Sequence, residues 1–254
     1  MPRVMATFVK VGGSVITVKD APEPTLRRSV IADLVREVAE IHSEGEPLIL
    51  ANGAGSFGHP LAKRAGLDRG LLEGKELPSA LTAQSALRLN FMIVEGLLEQ
   101  GVPAISFSPR SYVYGTDSGW EAEITPMRMA LERGFVPVTF GDVVMHRTKG
   151  AAIFSADDAP IVLAPLIRRA VYLVDVPGVL GPDGRVLETA SPEVLEFAGG
   201  SSRVDVTGGM AEKLRKGFRL ASSGIEVRVA GYTSAGDLNR ALAGEAGTLL
   251  VVEE

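Results

Sequence analysis

Residues 4–14 read VMATFVKVGGS, an almost unbroken apolar run that ends in two glycines and a serine. A short apolar run bounded by glycine is typical of a buried strand that turns at its carboxyl end. Outward from it, residues 25–42 place apolar side chains at helical spacing, and residues 47–51 form a second apolar strand pattern. The opening stretch is therefore predicted to be the first strand of an α/β fold.

The same alternation continues to the end of the chain. Further strands are predicted at residues 102–107, 135–140, 170–176, 225–230 and 248–252. Helices are predicted at residues 79–100, 125–133, 158–169, 208–223 and 235–243. Strands that are separated by helices and apolar on both faces predict a three-layer αβα sandwich with a central, mainly parallel sheet. We expect one domain over residues 1–254, with a soft division into two lobes near residue 150 and a surface loop at residues 199–202.

Composition excludes several classes of protein. The 254 residues are 46% apolar and 22% charged, which is ordinary globular usage. With 26 basic and 31 acidic residues the net charge is −5, so no general attraction for nucleic acid or a membrane surface is expected. Cysteine is absent and histidine occurs three times, which removes thiolate chemistry and leaves too few ligands for a multi-histidine metal site. Without a leader pattern or a membrane-spanning run, a cytoplasmic location is expected.

Glycine is concentrated at three predicted strand-to-helix turns. These are KVGGS at residues 10–14, NGAGSFGH at 52–59, and DVTGGM at 205–210, the last opening a helix that carries Lys213 and Lys216. Ligands of open α/β sheets bind beyond the carboxyl ends of the strands. Glycine allows close backbone approach there, and the free N–H groups of a helix start favour anions. The three clusters together predict phosphate binding.

Residues 53–58 also match the dinucleotide fingerprint G-x-G-x-x-G. The match follows the second strand instead of the first, and residues 65–78 form a glycine-rich loop where a strand ending in an acid is required. No Walker A sequence occurs. A dinucleotide-binding oxidoreductase and a nucleotide-binding module without turnover remain as lesser alternatives.

Six motifs in order carry a family resemblance. They are KVGGS at residues 10–14, Lys19, GAGSFGH at 53–59, SADD at 155–158, VDVPGV at 174–179, and DVTGGM at 205–210 with Lys213. The set resembles the amino acid kinase superfamily, and the second and last glycine runs resemble its isopentenyl phosphate kinases. The resemblance implies a homodimeric αβα sandwich that uses ATP and Mg²⁺ to convert isopentenyl phosphate to isopentenyl diphosphate in isoprenoid biosynthesis. The nearest alternative is a kinase for a small phosphonate such as fosfomycin.

The resemblance also assigns roles to individual residues. The catalytic set is Lys10, Lys19, His59, Asp158 and Lys213, with Asp158 orienting the lysines through ion pairs. The ATP-binding set is Lys10, Gly12, Gly13, Ser14, Gly55, Asp175, Gly178, Gly208, Met210 and Lys213. The acceptor-binding set is Gly53, Ala54, Gly55, Gly58, His59 and Ala156. No dedicated carboxylate cage for a metal is expected, and His42 and His146 are interpreted as structural.

Two further expectations concern the acceptor. Its phosphate has a second pKa of about 6 and is already largely deprotonated at neutral pH, so cationic donors matter more than a base. By analogy its tail lies against helix 79–100, where Leu89, Phe91, Met92 and Ile93 are either pocket or core. Five residues depart from the family pattern and bear on the base, ribose and acceptor sites: Asn52, Ala54, Ala156, Val174 and Pro177.

Overall fold

The computed structural model describes residues 4–19, 21, 23–197 and 208–252. The strands are β1 (Ala6–Val11), β2 (Leu48–Asn52), β3 (Ala104–Ser106), β4 (Val113–Thr116), β5 (Gly119–Ala122), β6 (Val136–Phe140), β7 (Asp142–His146), β8 (Gly150–Phe154), β9 (Ile167–Val174), β10 (Thr189–Ala190), β11 (Glu226–Gly231) and β12 (Thr248–Leu250). The helices are α1 (Gly13–Ile16), α2 (Arg28–Ser43), α3 (His59–Ala65), α4 (Glu76–Glu99), α5 (Thr125–Glu132), α6 (Ala159–Val162), α7 (Val194–Phe197), α8 (Gly208–Ala221) and α9 (Asp237–Leu242).

Eight strands form the central sheet, in the order β10-β12-β11-β9-β1-β2-β6-β3. Every neighbouring pair is parallel except β11 and β12. β1 lies between β9 and β2, and all six of its residues are buried. A strand covered on both faces needs an unbroken apolar sequence, which is the pattern that residues 4–11 show.

Helices cover both faces of this sheet and create two cores. Val9 and Val11 of β1 pack with α1, α2, α4 and α9. Ala6 and Phe8, which point the opposite way, pack with α5, α6, α7 and α8. The predicted three-layer sandwich is therefore confirmed. Lys10 alternates with Val9 and Val11, so its side chain is on the α8 side of the sheet.

A second, four-stranded sheet, β5-β4-β7-β8, was not predicted. No strand was predicted between residues 141 and 169, but β7 pairs there with β8 in an antiparallel hairpin. The predicted helix at residues 158–169 was also wrong. Its span contains α6, a turn of 3-10 helix at Ala164–Leu166, and the start of β9. Pro160 fits the first turn of α6, whereas Pro165 cannot donate the hydrogen bond that a longer helix requires.

Candidate active site

The turns after β1 and β2 pack against each other backbone to backbone. Parallel pairing of Val11 with Asn52 brings the two turns side by side. A Cβ on Gly13 would lie 2.3 Å from the backbone nitrogen of Gly55, and one on Gly53 would lie 2.7 Å from the nitrogen of Gly13. Gly55 also has a φ of +48°, in the region that favours glycine. These glycines therefore serve first to let the two loops approach.

A cavity of about 160 Å³ opens beside these loops. One end is polar and contains the Lys10, His59 and Asp157 side chains together with the backbone of the glycine turns. The other end is mainly apolar, with lining residues that come from α3, α4, β7 and β8. They are Ala62, Ala86, Val143, Ile153 and Phe154, with two polar residues, Thr82 and Asp142, from the same elements. The cavity thus matches a small molecule that has an anionic head and a hydrocarbon tail.

A lysine–aspartate cluster closes the polar end. The Nζ of Lys10 lies 2.7 Å from Oδ1 of Asp157, and the Nζ of Lys213 on α8 lies 3.0 Å from each oxygen of the same carboxylate. Lys10 and Lys213 are only 5% and 9% exposed. Burial alone would raise the pKa of Asp157, but the two ammonium charges outweigh it and hold that pKa well below its usual range. Asp157 is therefore a fixed anion that bridges two buried cations.

Desolvation and the charge of Lys10 lower the pKa of Lys213 to about 8. The ammonium group of Lys10 thus makes Lys213 harder to protonate, and the carboxylate of Asp157 compensates only in part. A third lysine, Lys216, lies one turn further along α8 and pairs with Asp158 at 2.7 Å. Lys216 also has Glu212 at 3.8 Å, whereas Lys10 and Lys213 share the one carboxylate of Asp157, so the excess positive charge lies at that pair and favours a polyanionic ligand.

His59 is the first residue of α3 and lies at the mouth of the cavity. The residue is exposed to solvent. Desolvation by the cavity wall, followed by the positive charge of Lys10, lowers the pKa of His59, while Asp157 acts in the opposite direction. The imidazole is therefore mainly neutral at pH 7 and able to donate one hydrogen bond.

The model of the amino acid kinase family matches residues 5–231. The chain belongs to the amino acid kinase family. The isopentenyl phosphate kinase of Methanothermobacter thermautotrophicus is 33% identical over 94% of this chain and 95% of its own length. That of Haloferax volcanii is 36% identical over 84% of this chain and 88% of its own. A solved structure titled X-ray structures of isopentenyl phosphate kinase has a TM-score of 0.81 at 30% identity, covering 97% of this chain and all of that one.

Family membership confirms the predicted fold and the kinase class, and sets the dinucleotide oxidoreductase aside. In this amino acid kinase the G-x-G-x-x-G match at residues 53–58 leads into a 3-10 helix at Gly55–Phe57 and packs on Gly13. The spacing of those glycines follows from the contact between two loops. It does not require a pyrophosphate above a long helix.

One assignment within the predicted catalytic set is corrected. Asp158 was expected to orient the lysines, but the carboxylate that holds both Lys10 and Lys213 belongs to Asp157. Asp158 points back into its own turn, where it accepts the backbone N–H of Ser155 at 3.2 Å, and outward to Lys216. The two adjacent aspartates therefore divide the three lysines of this amino acid kinase between them.

The structure gathers part of the predicted acceptor and ATP sets around the cavity: Lys10, Gly13, Gly53, Ala54, Gly58, His59 and Ala156. Others lie outside it. Lys19 is exposed in the turn that follows Val18, and Asp175 is exposed just after β9. The backbone N–H of Gly12 donates to Leu173 at 2.8 Å, and Ser14 is half-buried in α1.

The remaining predicted residues belong to the region around α8. Gly208 is the first residue of that helix, and Met210 packs partly buried against the core. Gly178 is buried where a Cβ would meet Val186 and Thr248. Residues 205–207 of the DVTGGM motif and residues 199–202 lie outside the described residues.

Of the two alternatives left open for Leu89, Phe91, Met92 and Ile93, the structure does not support the pocket, since none of the four lines the cavity. Leu89 and Ile93 are core residues of the opposite face, and Phe91 is 56% exposed. Ala86 and Thr82, about one and two turns before Leu89 on α4, line the cavity instead. The size of the side chains could have indicated this part of the helix. Residues 79, 82, 83 and 86 are all small, and small residues allow a ligand to approach a helix closely.

Neither of the two remaining histidines lines the cavity. His42 is in the last turn of α2, where the helix dipole favours it. His146 accepts the backbone N–H groups of Thr148 and Lys149 at its Nδ1, each at 3.3 Å. Within residues 4–19, 21, 23–197 and 208–252, no three histidine, aspartate or glutamate side chains group to hold a metal, and no helix is long and apolar enough to cross a membrane.

Proposed function

We propose that this amino acid kinase transfers the γ-phosphoryl group of ATP to isopentenyl phosphate and so forms isopentenyl diphosphate. The observation that carries this proposal is the two-part lining of the cavity, cationic at one end and apolar at the other. A charged amino acid side chain as acceptor would leave its polar groups against the apolar wall, at a cost. The relatives named isopentenyl phosphate kinase support the same acceptor.

The acceptor phosphate is held by the polar end of the cavity. His59 donates a hydrogen bond to it, and the backbone of Gly53, Ala54 and Gly58 closes around it. The positive charge of Lys10 faces the same space. The branched hydrocarbon tail extends toward Ala86 and Val143, where it displaces water from an apolar surface.

Transfer then needs alignment and charge neutralisation more than proton abstraction. An oxygen of the acceptor phosphate forms a bond to the γ-phosphorus of ATP, while the bond from that phosphorus to the bridging oxygen breaks and ADP leaves. The acceptor oxygen already carries its negative charge at neutral pH, so no base is required. Lys10, fixed by Asp157, lies between the two phosphates and neutralises charge on the oxygens of the transferring group.

The nucleotide phosphates lie over Lys213 and the start of α8. We assign the predicted ATP-binding roles of Asp175, Gly178, Gly208 and Met210 to this end. Those of Gly12, Gly13, Ser14 and Gly55 belong where the glycine turns adjoin it, and Lys19 is assigned a contact with the transferring phosphates. Magnesium neutralises phosphate charge when bound with ATP. Asp157 and Asp158 are both paired with lysines, so neither is free to hold the ion, which would be bound mainly by phosphate oxygens.

We further propose that the chain acts as one domain and as a homodimer. Large apolar side chains are exposed along the outer side of α4: Leu77, Leu81, Phe91 and Leu98. A stripe of this kind on a helix is typical of a subunit interface. Light scattering should give a mass of twice 26.8 kDa.

An acceptor panel tests the function. Purified protein with ATP and magnesium chloride should release ADP with isopentenyl phosphate at a far higher kcat/KM than with fosfomycin or UMP. Release with fosfomycin or UMP but not with isopentenyl phosphate would contradict the proposal. ATP binding without release for any acceptor would favour a nucleotide-binding module without turnover.

A further inference from the structure

Tyr172 lies beneath the lysine–aspartate cluster and has no role in the mechanism above. It is the partner of Lys10 in the register between β1 and β9, so both side chains point to the α8 side of the sheet. The Nζ of Lys213 is 5.8 Å from the centre of its ring, within the range of a cation–π contact. Its side chain is fully buried. The ring therefore packs beneath the ammonium group of Lys213.

The hydroxyl of Tyr172 has no hydrogen-bond partner among the residues that the structure describes. Two other tyrosines show the usual arrangement. Tyr232 donates to Glu37 at 2.7 Å, and the hydroxyl of Tyr112 lies 2.8 Å from that of Thr139. A buried hydroxyl without a partner is unfavourable and uncommon. Its position in the nucleotide end of the site indicates a partner that another state of the protein supplies.

The charged groups around this hydroxyl identify that partner. Burial, followed by the charges of Asp157 and then Asp158, raises the pKa of Tyr172, so the hydroxyl keeps its proton and acts as a donor. In the described state Asp157 is already satisfied by the ammonium groups of Lys10 and Lys213. Asp158 likewise has Lys216 and the backbone N–H of Ser155. Neither carboxylate needs the hydroxyl while its lysines stay in place.

Nucleotide binding changes this balance. Lys213 pairs with Asp157 in the free protein, and the proposed function places the polyphosphate of ATP beside the same ammonium group. A polyphosphate attracts the ammonium group of Lys213 more strongly than one carboxylate does. When that ammonium group moves to the phosphates, the buried carboxylate of Asp157 has one hydrogen-bond donor fewer. We propose that Tyr172 is a positioning residue for the nucleotide-bound state, in which its hydroxyl donates to Asp157 in place of Lys213. This inference rests on the proposed function, because it requires ATP at this cluster.

The test compares Tyr172→Phe with Tyr232→Phe, since both remove one buried hydroxyl and keep the ring. Removing the unpaired hydroxyl of Tyr172 should raise the Tm of the free protein by about 2–4 °C and weaken ATP binding about tenfold. Removing the paired hydroxyl of Tyr232 should lower the Tm and leave the ATP Kd unchanged. Thermal unfolding without ligand and calorimetric titration with ATP and magnesium chloride give these values without an acceptor.

A third variant tests the identity of the partner. In an Asp157→Asn background the hydroxyl loses its anionic acceptor, so adding Tyr172→Phe should change the ATP Kd by less than about twofold. A lower Tm for Tyr172→Phe, an unchanged Kd, or a tenfold change that persists in the Asn background would each overturn the inference. A wild-type protein that binds no ATP would overturn the proposed function as well. If the wild type and Tyr172→Phe bind ATP with equal affinity, only this inference is overturned and the proposed function stands.

Discussion

The proposed acceptor end and the proposed nucleotide end of the site are built in different ways. At the acceptor end, two glycine turns touch backbone to backbone, and a Cβ on Gly13 has no space beside Gly55. At the nucleotide end, α8 brings Lys213 and Lys216 to two aspartates, and ion pairs hold the arrangement. Lys10 is the residue common to both, since it lines the cavity and pairs with Asp157.

The difference follows from what each end binds. A small acceptor with a neutral tail must be recognised by shape, and shape is kept best by close-packed backbone. A polyphosphate is recognised by charge, and buried ammonium groups that can turn from a carboxylate to a phosphate suit that purpose. Substitutions at the acceptor end should therefore act through sterics, and those at the nucleotide end through electrostatics that salt can screen.

The largest effect is expected for Gly13→Ala. The added methyl group meets backbone atoms of Gly55, which cannot move aside as a flexible side chain could. We expect the free energy of unfolding to fall by at least about 2 kcal/mol and kinase activity to be lost. Urea unfolding followed by circular dichroism measures the first, and ADP release the second.

Gly96→Ala is the matched control. Gly96 is in the last turn of α4, and its added methyl group would lie 3.4 Å from Val35, an ordinary contact. Alanine favours a helix over glycine by about 1 kcal/mol, so this variant should be as stable as the wild type or more so. Equal stability of the two alanine variants would contradict the steric account of the glycine turns.

A smaller, specific loss is expected for His59→Ala. The variant loses the donor to the acceptor phosphate, and kcat/KM for isopentenyl phosphate should fall about 100-fold while the ATP KM stays within twofold. His59→Gln, which keeps an N–H donor but does not titrate, should recover part of the loss. Initial rates at varied acceptor concentration measure both. Wild-type kinetics for the alanine variant would remove His59 from the site.

Much of the fold was readable from the sequence because parallel strands buried on both faces have unbroken apolar patterns. Residues 4–11 and 170–176 are examples, and β1 and β9 do lie side by side. The second sheet was not readable in this way. β7 and β8 form a hairpin whose exposed positions carry Met145 and Ile153, so it lacks the alternation of apolar and polar residues that marks a half-exposed strand.

The sequence predicted which motifs meet at the candidate site, but it did not predict which side chains contact each other there. Lys10, His59 and the glycine turns meet at one cavity because adjacent parallel strands end at the same edge of the sheet. Either Asp157 or Asp158 could face Lys10 and Lys213. The choice depends on the conformation of one turn of backbone, which the spacing of residues in the sequence does not determine. The role of Tyr172 depends on the absence of a partner for its hydroxyl, a property that only three-dimensional packing reveals.

At the nucleotide end, Lys213→Ala should raise the ATP KM about tenfold with a lesser effect on the acceptor KM. The charge removed is buried and faces Asp157, so its loss weakens phosphate binding directly. Lys216→Ala removes a charge that pairs with Asp158 one turn further along α8, and should raise the ATP KM by less. Steady-state kinetics at two salt concentrations measure both. An equal rise in the ATP KM for the two substitutions would contradict the proposal that Lys213 makes the stronger contact with the ATP phosphates.

The smallest predicted effect is a proton taken up with ATP. The pKa of Lys213 is about 8 in the free protein, so the ammonium form is progressively lost above that pH. Bound phosphates favour the charged form and raise this pKa, so binding at about pH 8.5 should take up a fraction of a proton, and the ATP KM should rise above about pH 8 but not below it. Calorimetry in two buffers of different ionisation enthalpy measures the uptake, and Lys213→Ala should abolish it. Proton release, or an uptake that persists without Lys213, would show that a different group at the nucleotide end responds to ATP.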